Sequence, residues 1–531
     1  MEKERLARQK RLRPDIISTT TCNEDDDDDD EEDEELREPP VKRQQIFCSY
    51  GVRPANVSTI NPLFWNGELR QTATQHGEPR KDGKKTFRLT EILGNKSELA
   101  LAIISSYSLD LPWIYEFFDS SVPVIVVAQP DPSGETSLKY VFPNWIRTTP
   151  FLRGGRGCMH MKFMLLFYKT GRLRVVVSTA NLIAYDYRDI ENVVHIFLDF
   201  CRAELNSQQT IWLQDIPQRN EPLQNDSKAL QDFPTVLQGV LHSLHVQPAL
   251  RTMTKDNVSL LSHLKLGMRW DWSKVKVYLV PSISGKHEGW PAVVKTGHPR
   301  LMQAVRKMGL RTGKGRSSKD IALECQGSSI GVYTTQWFNE FHWSARGESA
   351  EDWLDEPRRR REKLPYPPIS IIYPTKTTVQ KTTLGEQGGG TLFCRRRQWA
   401  ATKFPRDHFH DSRSKGGPVL MHSKVSKLQA LKGQKTPDSD TEDDSDVEVI
   451  EPAVGWAYVG SHNFTSSAWG TLSGSGFNPV LNISNYELGI VFPLNSLEHA
   501  DSVACFQRPV TKYTAGDVPW IQEESIYHRN E

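Results

Sequence analysis

The sequence reads His160-Met161-Lys162 in its first half and His422-Ser423-Lys424 in its second half. An apolar stretch follows each of them, and small residues then lead to Asn181 and Asn463, respectively. Residues i and i+2 of a strand share a face, so each His and its Lys can point into one site. Two imidazoles, two ammonium groups and two amides are suited to attack on a phosphate diester.

The His-x-Lys spacing alone is weak evidence, and the chain contains its own control. His263-Leu264-Lys265 has the same spacing, but no small residues ending in Asn follow at a similar distance. We therefore interpret that segment as ordinary surface. The other two segments share a small-residue turn, an apolar stretch and a trailing Asn, and we interpret them as functional.

The net charge of +1 conceals an uneven distribution. Residues 1–45 hold 9 basic and 16 acidic side chains, and residues 438–451 hold 8 acidic and no basic ones. The remainder of the chain must therefore carry a net +16. A basic body of that size is suited to a polyanionic partner, most simply nucleic acid, and a basic surface that is merely solvated is the alternative.

Length and composition narrow the class of protein. A chain of 531 residues exceeds the size of one hydrophobic core, which favours two domains. No run approaches 18 apolar residues and the N-terminus is charged, so we expect no membrane association. The seven cysteines include no Cys-x-x-Cys pair, and we expect neither a metal site nor a cofactor.

The arrangement of apolar stretches predicts an α/β fold in both halves. Buried strands are expected at Val122–Ala128, Lys162–Tyr168 and Leu173–Val177, with a second set of strands from about residue 268. Strands that alternate with helical patterns such as Leu301–Leu310 are typical of α/β domains. The repeated motif indicates that the halves are related domains that face each other across a pseudo-twofold axis.

We predict three segments and one insertion. Residues 1–84 are expected to be mostly disordered, because their basic and acidic runs cannot bury a core. The N-terminal domain is placed at 85–267 and the C-terminal domain at 268–531. Lys162 and Asn181 are 19 positions apart, whereas Lys424 and Asn463 are 39 apart, and the excess of 20 matches an acidic insertion at 434–452.

These residues resemble the phospholipase D superfamily, whose members carry two His-x-Lys motifs. Most members add an Asp five positions after each Lys, where this chain has Phe167 and Gln429. That departure resembles the tyrosyl-DNA phosphodiesterase family, and the resemblance extends from about residue 85 to Pro519-Trp520. Three further stretches match it: Ser178-Thr-Ala-Asn-Leu-Ile183, Ser461-His-Asn-Phe-Thr-Ser-Ser-Ala-Trp-Gly470 and Ser484-Asn-Tyr-Glu-Leu-Gly489.

The resemblance implies a role for each catalytic residue. His160 would be the nucleophile, and His422 the general acid that later acts as the base. Glu487 would orient one imidazole through a hydrogen bond, much as the Asp of a serine-protease triad does. The DNA phosphate at the reacting bond would be bound by four side chains, Lys162, Lys424, Asn181 and Asn463.

The resemblance also suggests positions for which a structural role is a strong alternative. The second orienting residue is a Gln in the family, and counting eleven positions beyond Asn181 leads to Asn192. Ser328 and Ser329 lie in a stretch that resembles the family loop binding DNA phosphates, although a small-residue turn would read the same way. Tyr107 matches a position in the substrate groove and could equally be a core tyrosine.

The resemblance implies two phospholipase D-like αβα-sandwich domains with the active site at their interface. The implied activity is hydrolysis of the 3′-phosphotyrosyl bond between DNA and a stalled topoisomerase I peptide. A covalent phospho-His intermediate and a 3′-phosphate product are expected, in a nuclear, monomeric enzyme. The alternatives are another phospholipase D superfamily nuclease or phosphodiesterase, and a catalytically inactive DNA-binding scaffold; the six phosphate-site residues disfavour the scaffold.

The acidic insertion carries one separate hypothesis. Val447-Glu-Val-Ile450 follows Ser439, Thr441 and Ser445 among acidic residues and resembles a SUMO-interaction motif. A short β-prone stretch can add to the edge of a partner's sheet while acids steer it to a basic rim. The alternative is a solvated acidic loop, and equal SUMO binding by a V449K/I450K variant would end the hypothesis.

Overall fold

The apolar stretches behind the two His-x-Lys motifs form the central strands of two different sheets. Phe163–Tyr168 is buried along its whole length, as a strand covered on both faces must be. Val425–Ala430 has the same place in the second half. The computed structural model describes residues 62–74, 77–184, 186–187, 207–223, 231–254, 265–313, 321–430 and 453–527.

Nine of the ten strands described in the first half form one sheet. The ten strands are β1 (Glu68–Thr72), β2 (Thr86–Phe87), β3 (Leu99–Ser105), β4 (Val124–Val127), β5 (Ser137–Phe142), β6 (Trp145–Thr149), β7 (Phe163–Tyr168), β8 (Leu173–Ser178), β9 (Ser207–Gln208) and β10 (Thr210–Ile216). The order in the sheet is β2-β1-β10-β8-β7-β3-β4-β6-β5. The pairs β1–β2, β3–β4 and β4–β6 are parallel, and the other neighbours are antiparallel.

The strands described in the second half are β11 (Tyr278–Ser282), β12 (Gly285–Glu288), β13 (Ile321–Gln326), β14 (Ile369–Ile372), β15 (Phe409–His410), β16 (Leu420–Met421), β17 (Val425–Ala430), β18 (Gly455–Gly460), β19 (Thr471–Gly474), β20 (Pro479–Ile483) and β21 (Glu487–Leu494). Seven of them form one sheet in the order β11-β21-β18-β17-β13-β14-β15. The pairs β13–β14 and β14–β15 are parallel, and the others are antiparallel. Strands β12, β20 and β19 form a small third sheet, and β16 pairs with β9.

The two large sheets repeat one topology. The succession β1-β10-β8-β7-β3-β4-β6 matches β11-β21-β18-β17-β13-β14-β15 strand by strand, with parallel and antiparallel pairs in the same places. The prediction of two related α/β halves is confirmed. The boundary at 267/268 stays a prediction, and it falls within a short helix, Leu266–Arg269.

Helices lie between the strands of both halves. The α-helices are Leu89–Leu93, Leu111–Tyr115, Asp232–Ser243, Val246–Thr254, Leu266–Arg269, Trp290–Val293, Gly297–Lys307, Thr335–Ala345, Ala350–Asp355, Arg358–Arg361, Lys376–Gln380, Arg396–Trp399, Ser466–Trp469 and Leu497–Val503. The 3-10 turns are Lys96–Glu98, Arg153–Gly155, Gly385–Thr391, Arg406–His408 and Gln522–Glu524. Among the described residues, no helix is long and apolar enough to cross a membrane.

Strand alternation divides the core into layers. In β7, Phe163, Leu165 and Phe167 pack in one hydrophobic cluster, whereas Met164 and Leu166 pack in another on the opposite face. The first cluster also contains residues of the second sheet, namely Val425, Val459, Leu488 and Ile490. The two sheets therefore share a hydrophobic core, and the described residues belong to one compact unit.

Phe167 shows why the acid typical of the superfamily is missing from the first half. Its ring is buried in the shared core and lies edge-on to Trp270, with 5.5 Å between the ring centroids. Burial of a Phe side chain stabilises the fold by about 2–3 kcal/mol, and an unpaired carboxylate there would be costly. The side chain of Gln429 lies outside the described residues.

The predicted N-terminal boundary is too far along the chain. Strand β1 lies upstream of residue 85 and pairs antiparallel with β10, so among the described residues the first sheet begins at Glu68. Its polar residues Gln71 and Thr72 are buried by this pairing, and a pattern of apolar residues therefore does not reveal it. Residues 1–61, the insertion at 434–452, Val447–Ile450, His263 and Asn192 lie outside the described residues.

Candidate active site

His160 lies just before β7, and its position is set by the other half of the chain. Its backbone N–H donates to the carbonyl of Tyr486 (2.8 Å), the residue that precedes β21. Its ring Nδ1 lies 2.7 Å from Oε2 of Glu487 and 3.0 Å from the carbonyl oxygen of Ser461. A carbonyl oxygen only accepts, so Nδ1 carries the proton of the neutral ring and Nε2 keeps its lone pair for a nucleophilic role.

Glu487 begins β21 and is almost fully buried. Ser461 Oγ donates to its Oε2 (2.6 Å) and Asn485 Nδ2 donates to its Oε1 (3.0 Å). Burial raises the pKa of the Glu487 carboxyl to about 7, against the opposing effects of Lys162, the two hydrogen bonds and Lys424. The carboxyl thus titrates near neutral pH while it contacts the His160 ring.

His422 has the equivalent place in the second half. Its backbone N–H donates to the carbonyl of Gln208 (3.1 Å), the last residue of β9, and Met421 pairs with Gln208. Lys424 Nζ lies 3.1 Å from His422 Nε2 and donates to the His422 carbonyl (2.5 Å), while Lys162 Nζ donates to the His160 carbonyl (2.9 Å). Each Lys thus lies beside the His two residues before it, although both His-x-Lys segments lie just outside the strands.

Asn181 and Asn463 follow the equivalent strands β8 and β18. The backbone N–H of Ser108 donates to Asn181 Oδ1 (3.2 Å). The backbone N–H groups of Ser328 and Ser329 donate to Asn463 Oδ1 (2.9 and 3.1 Å). Because the oxygen of each carboxamide is held by backbone, its NH2 end is the end available for an anion.

Ser328 and Ser329 therefore lie next to a predicted phosphate-binding residue. Ser328 is buried and its Oγ also lies 3.3 Å from Asn463 Oδ1. Its contacts therefore hold the Asn463 amide in place. Tyr107 is buried beside His160, with 5.6 Å between ring centroids and 60° between the ring planes. Contacts of these three residues with DNA stay predictions.

The repeated topology locates the residue equivalent to Glu487 in the first half. Beyond the paired strands, Ser461 N–H donates to the Leu488 carbonyl, and Thr179 N–H donates to the Thr210 carbonyl. Gln209, the residue before Thr210, therefore corresponds to Glu487. Counting eleven positions from Asn181 leads to Asn192 only if no residues are inserted, whereas β10 begins at residue 210.

The sequence interpretation also missed Asp186, a fully buried carboxyl five positions after Asn181. It accepts hydrogen bonds from the backbone N–H and Nδ2 of Asn181 (2.6 and 3.2 Å) and from Nε2 of Gln209 (3.1 Å). Burial raises its pKa to about 6, although the Asn181 hydrogen bonds and the charges of Lys424 and Lys162 lower it. A lone Asp in a turn gives no signal in the sequence.

His462 is a buried histidine whose ring contacts are with residues outside the predicted catalytic set. Its Nε2 lies 2.9 Å from Ser282 Oγ, its Nδ1 contacts the Tyr458 hydroxyl, and its ring packs against Trp469. Burial holds its pKa well below the usual range, so the ring is neutral. Within the described ranges, no three His, Cys, Asp or Glu side chains are grouped to bind a metal ion.

Comparison with known proteins gives consistent matches. The family model described as tyrosyl-DNA phosphodiesterase matches residues 68–524. The Drosophila melanogaster protein tyrosyl-DNA phosphodiesterase 1 is 22% identical over 503 residues, covering 85% of this chain and 73% of that protein. A crystal structure of yeast tyrosyl-DNA phosphodiesterase gives a TM-score of 0.54 at 17% identity, covering 86% of this chain and 100% of the yeast chain. A mutant of that enzyme gives 0.56 at 16% identity, covering 86% and 99%.

Proposed function

The chain belongs to the tyrosyl-DNA phosphodiesterase family, and from this premise we propose that it hydrolyses the 3′-phosphotyrosyl bond between DNA and a stalled topoisomerase I peptide. The enzyme class follows from the family, whereas the adduct and the mechanism are part of the proposal. The contact of His160 Nδ1 with Glu487 carries the mechanism, because it leaves Nε2 as the nucleophile.

In the first step, His160 Nε2 attacks the 3′-phosphorus and the bond from phosphorus to the tyrosyl oxygen breaks. His422 supplies the proton that the departing phenolate takes up. A phenol with a pKa of about 10 leaves more readily than an alkyl alcohol, which makes the tyrosyl bond the favoured one. The DNA 3′-phosphate is then attached to His160 through a P–N bond.

The charge that builds up on the phosphate oxygens meets a cationic site. Lys162 and Lys424 are both close enough to act on the titration of Glu487 and Asp186. The NH2 groups of Asn181 and Asn463 add neutral donors to the two ammonium groups. Donors fixed in a buried site stabilise such charge without reorganisation during the reaction.

In the second step, His422 accepts a proton from water as the water oxygen attacks phosphorus. The P–N bond to His160 breaks, and DNA with a 3′-phosphate is released. The same imidazole that donated a proton in the first step therefore accepts one in the second.

The test uses a single-stranded oligonucleotide with a 3′-phosphotyrosine, in EDTA. We expect the wild type to release tyrosine and leave a 3′-phosphate. An identical oligonucleotide with a 3′-hydroxyl is the matched control, and its degradation would favour a general nuclease. Failure to turn over the adduct, or turnover only after a divalent metal is added, would contradict the proposal.

Glu487→Gln is expected to slow turnover by about 10²- to 10⁴-fold, as for the acid that orients a catalytic His in other enzymes. Ionised Glu487 accepts a stronger hydrogen bond from His160 Nδ1 than the neutral acid does, and its pKa is about 7, so the wild-type rate rises with pH through that region. The amide has no carboxyl to titrate, and this rise is lost from its profile. Rates measured from pH 5 to 9 check both expectations.

Glu340→Gln is the matched control for this experiment. Glu340 is a buried glutamate that pairs with His298 at 3.1 Å, away from the predicted active-site residues. We expect its pH profile to follow the wild type. A Glu487→Gln profile that also follows the wild type would assign the acidic limb to another group.

Since the proposed substrate is damaged DNA, we expect a DNA-repair enzyme that acts in the nucleus, and we further propose that it is a monomer. The net +16 outside the two acidic segments is suited to holding the DNA part of the adduct. Fluorescence microscopy of the tagged chain checks the location, and exclusion from the nucleus would contradict it. A SUMO contact through Val447–Ile450 stays a hypothesis.

A further inference from the structure

We propose that Asp186 is a positioning residue that fixes the amides of Asn181 and Gln209 in the orientation the reaction needs. The proposal rests on the proposed function, because it assigns Asn181 to the substrate phosphate. It adds a carboxylate to the first half of the site, beyond the His, Lys and Asn residues predicted from the sequence.

A carboxylate decides which way a carboxamide points. An ionised carboxylate has acceptors only, so it selects the NH2 end of an Asn or Gln that reaches it. Asp186 accepts hydrogen bonds from Nδ2 of Asn181 (3.2 Å) and from Nε2 of Gln209 (3.1 Å). The 2.6 Å bond from the Asn181 backbone N–H fixes the carboxylate itself.

The opposite ends of both amides have partners that agree with this orientation. Ser108 N–H donates to Asn181 Oδ1. The Thr179 hydroxyl accepts from Thr210 N–H (2.9 Å), and its own proton is donated to Gln209 Oε1 (2.9 Å). The oxygen of each amide thus accepts from a donor, and its nitrogen donates to Asp186. If either amide were flipped, its NH2 group would face that donor and its oxygen would face the Asp186 carboxylate.

Asp186 also supplies the first half with a carboxylate, which its residue equivalent to Glu487 does not provide. In the second half, Glu487 contacts the His160 ring directly. In the first half, the equivalent position is the neutral Gln209, and the carboxylate lies one hydrogen bond further back, on Asp186. Asp186 therefore sets the orientation of the Gln209 amide, which itself carries no charge.

A double-mutant cycle tests this role. We expect Asp186→Asn to slow single turnover of the 3′-phosphotyrosyl oligonucleotide about 10- to 100-fold, as loss of a supporting residue does in other sites. If Asp186 acts through both amides, the D186N/N181A and D186N/Q209A variants are each slowed by less than the product of the effects of their two single variants. Effects that multiply in both cycles, or a D186N rate equal to the wild type, would overturn the proposal.

Asp411→Asn is the matched control, because Asp411 is also a buried carboxylate bound by a backbone N–H and a hydroxyl, from Thr375 and Thr378. We expect it to keep the wild-type rate. Thermal melts check folding, and Asp186→Ser replaces D186N if the amide variant does not fold. A wild type that does not cleave the adduct refutes the proposed function alone, and the cycle is then measured as affinity for inorganic phosphate.

Discussion

His160→Ala is expected to reduce turnover of the 3′-phosphotyrosyl oligonucleotide by at least about 10⁴-fold, because loss of a covalent nucleophile leaves only binding and charge stabilisation. Ser461 and Asn485 still bind Glu487 in this variant, so the buried carboxyl keeps two of its hydrogen bonds. The rate is measured in EDTA with enzyme in excess over substrate, and thermal melts establish that the variant is folded.

His263→Ala is the control for His160→Ala, since His263-Leu264-Lys265 has the same spacing without the trailing Asn. We expect that variant to react at the wild-type rate. Full activity of His160→Ala would refute the assignment of the nucleophile. Loss of activity in His263→Ala would refute our interpretation of that segment as ordinary surface.

His422→Asn is expected to accumulate a covalent complex between DNA and protein. Departure of a phenol with a pKa of about 10 needs little assistance, whereas water needs a base to attack. The second step therefore slows more than the first. Denaturing gel electrophoresis with a 5′-labelled oligonucleotide measures the complex, which a P–N linkage makes labile to acid and stable to alkali.

The double variant H160A/H422N tests whether the covalent complex forms on His160 or on another residue. We expect it to form no complex, because the attacking nitrogen is absent. A complex that persists in the double variant would place the nucleophile on another residue. Equal slowing of both steps in His422→Asn would contradict the assignment of His422 as the base of the second step.

Much of the fold follows from local patterns in the sequence. The apolar runs at Lys162–Tyr168 and Leu173–Val177 predict strands because both faces of a central strand are buried, and they match β7 (Phe163–Tyr168) and β8 (Leu173–Ser178) to within one residue. Strand β1 gives no such signal, since backbone pairing with β10 buries its polar residues Gln71 and Thr72. This strand depends on a partner more than 130 positions away along the chain.

Some residues of the candidate site could likewise be predicted from the sequence, and others could not. His160 and Glu487 belong to stretches that a motif comparison can find, and the structure places them in contact at 2.7 Å. Gln209 could not be found by counting, because the length of the connection between Asn181 and β10 differs from the assumed one. Asp186 is a single acid in a turn, and only its three hydrogen bonds give it meaning.

The backbone contacts of the two histidines show that each half of the chain depends on the other. His160 is held by Tyr486 of the second half and His422 by Gln208 of the first, so each half completes the site of the other. That exchange is the geometry that a symmetric dimer of two identical subunits would have. Glu487 and Gln209 stand at equivalent positions of the two halves, and there the half that we propose to attack phosphorus differs from the half that we propose to transfer protons.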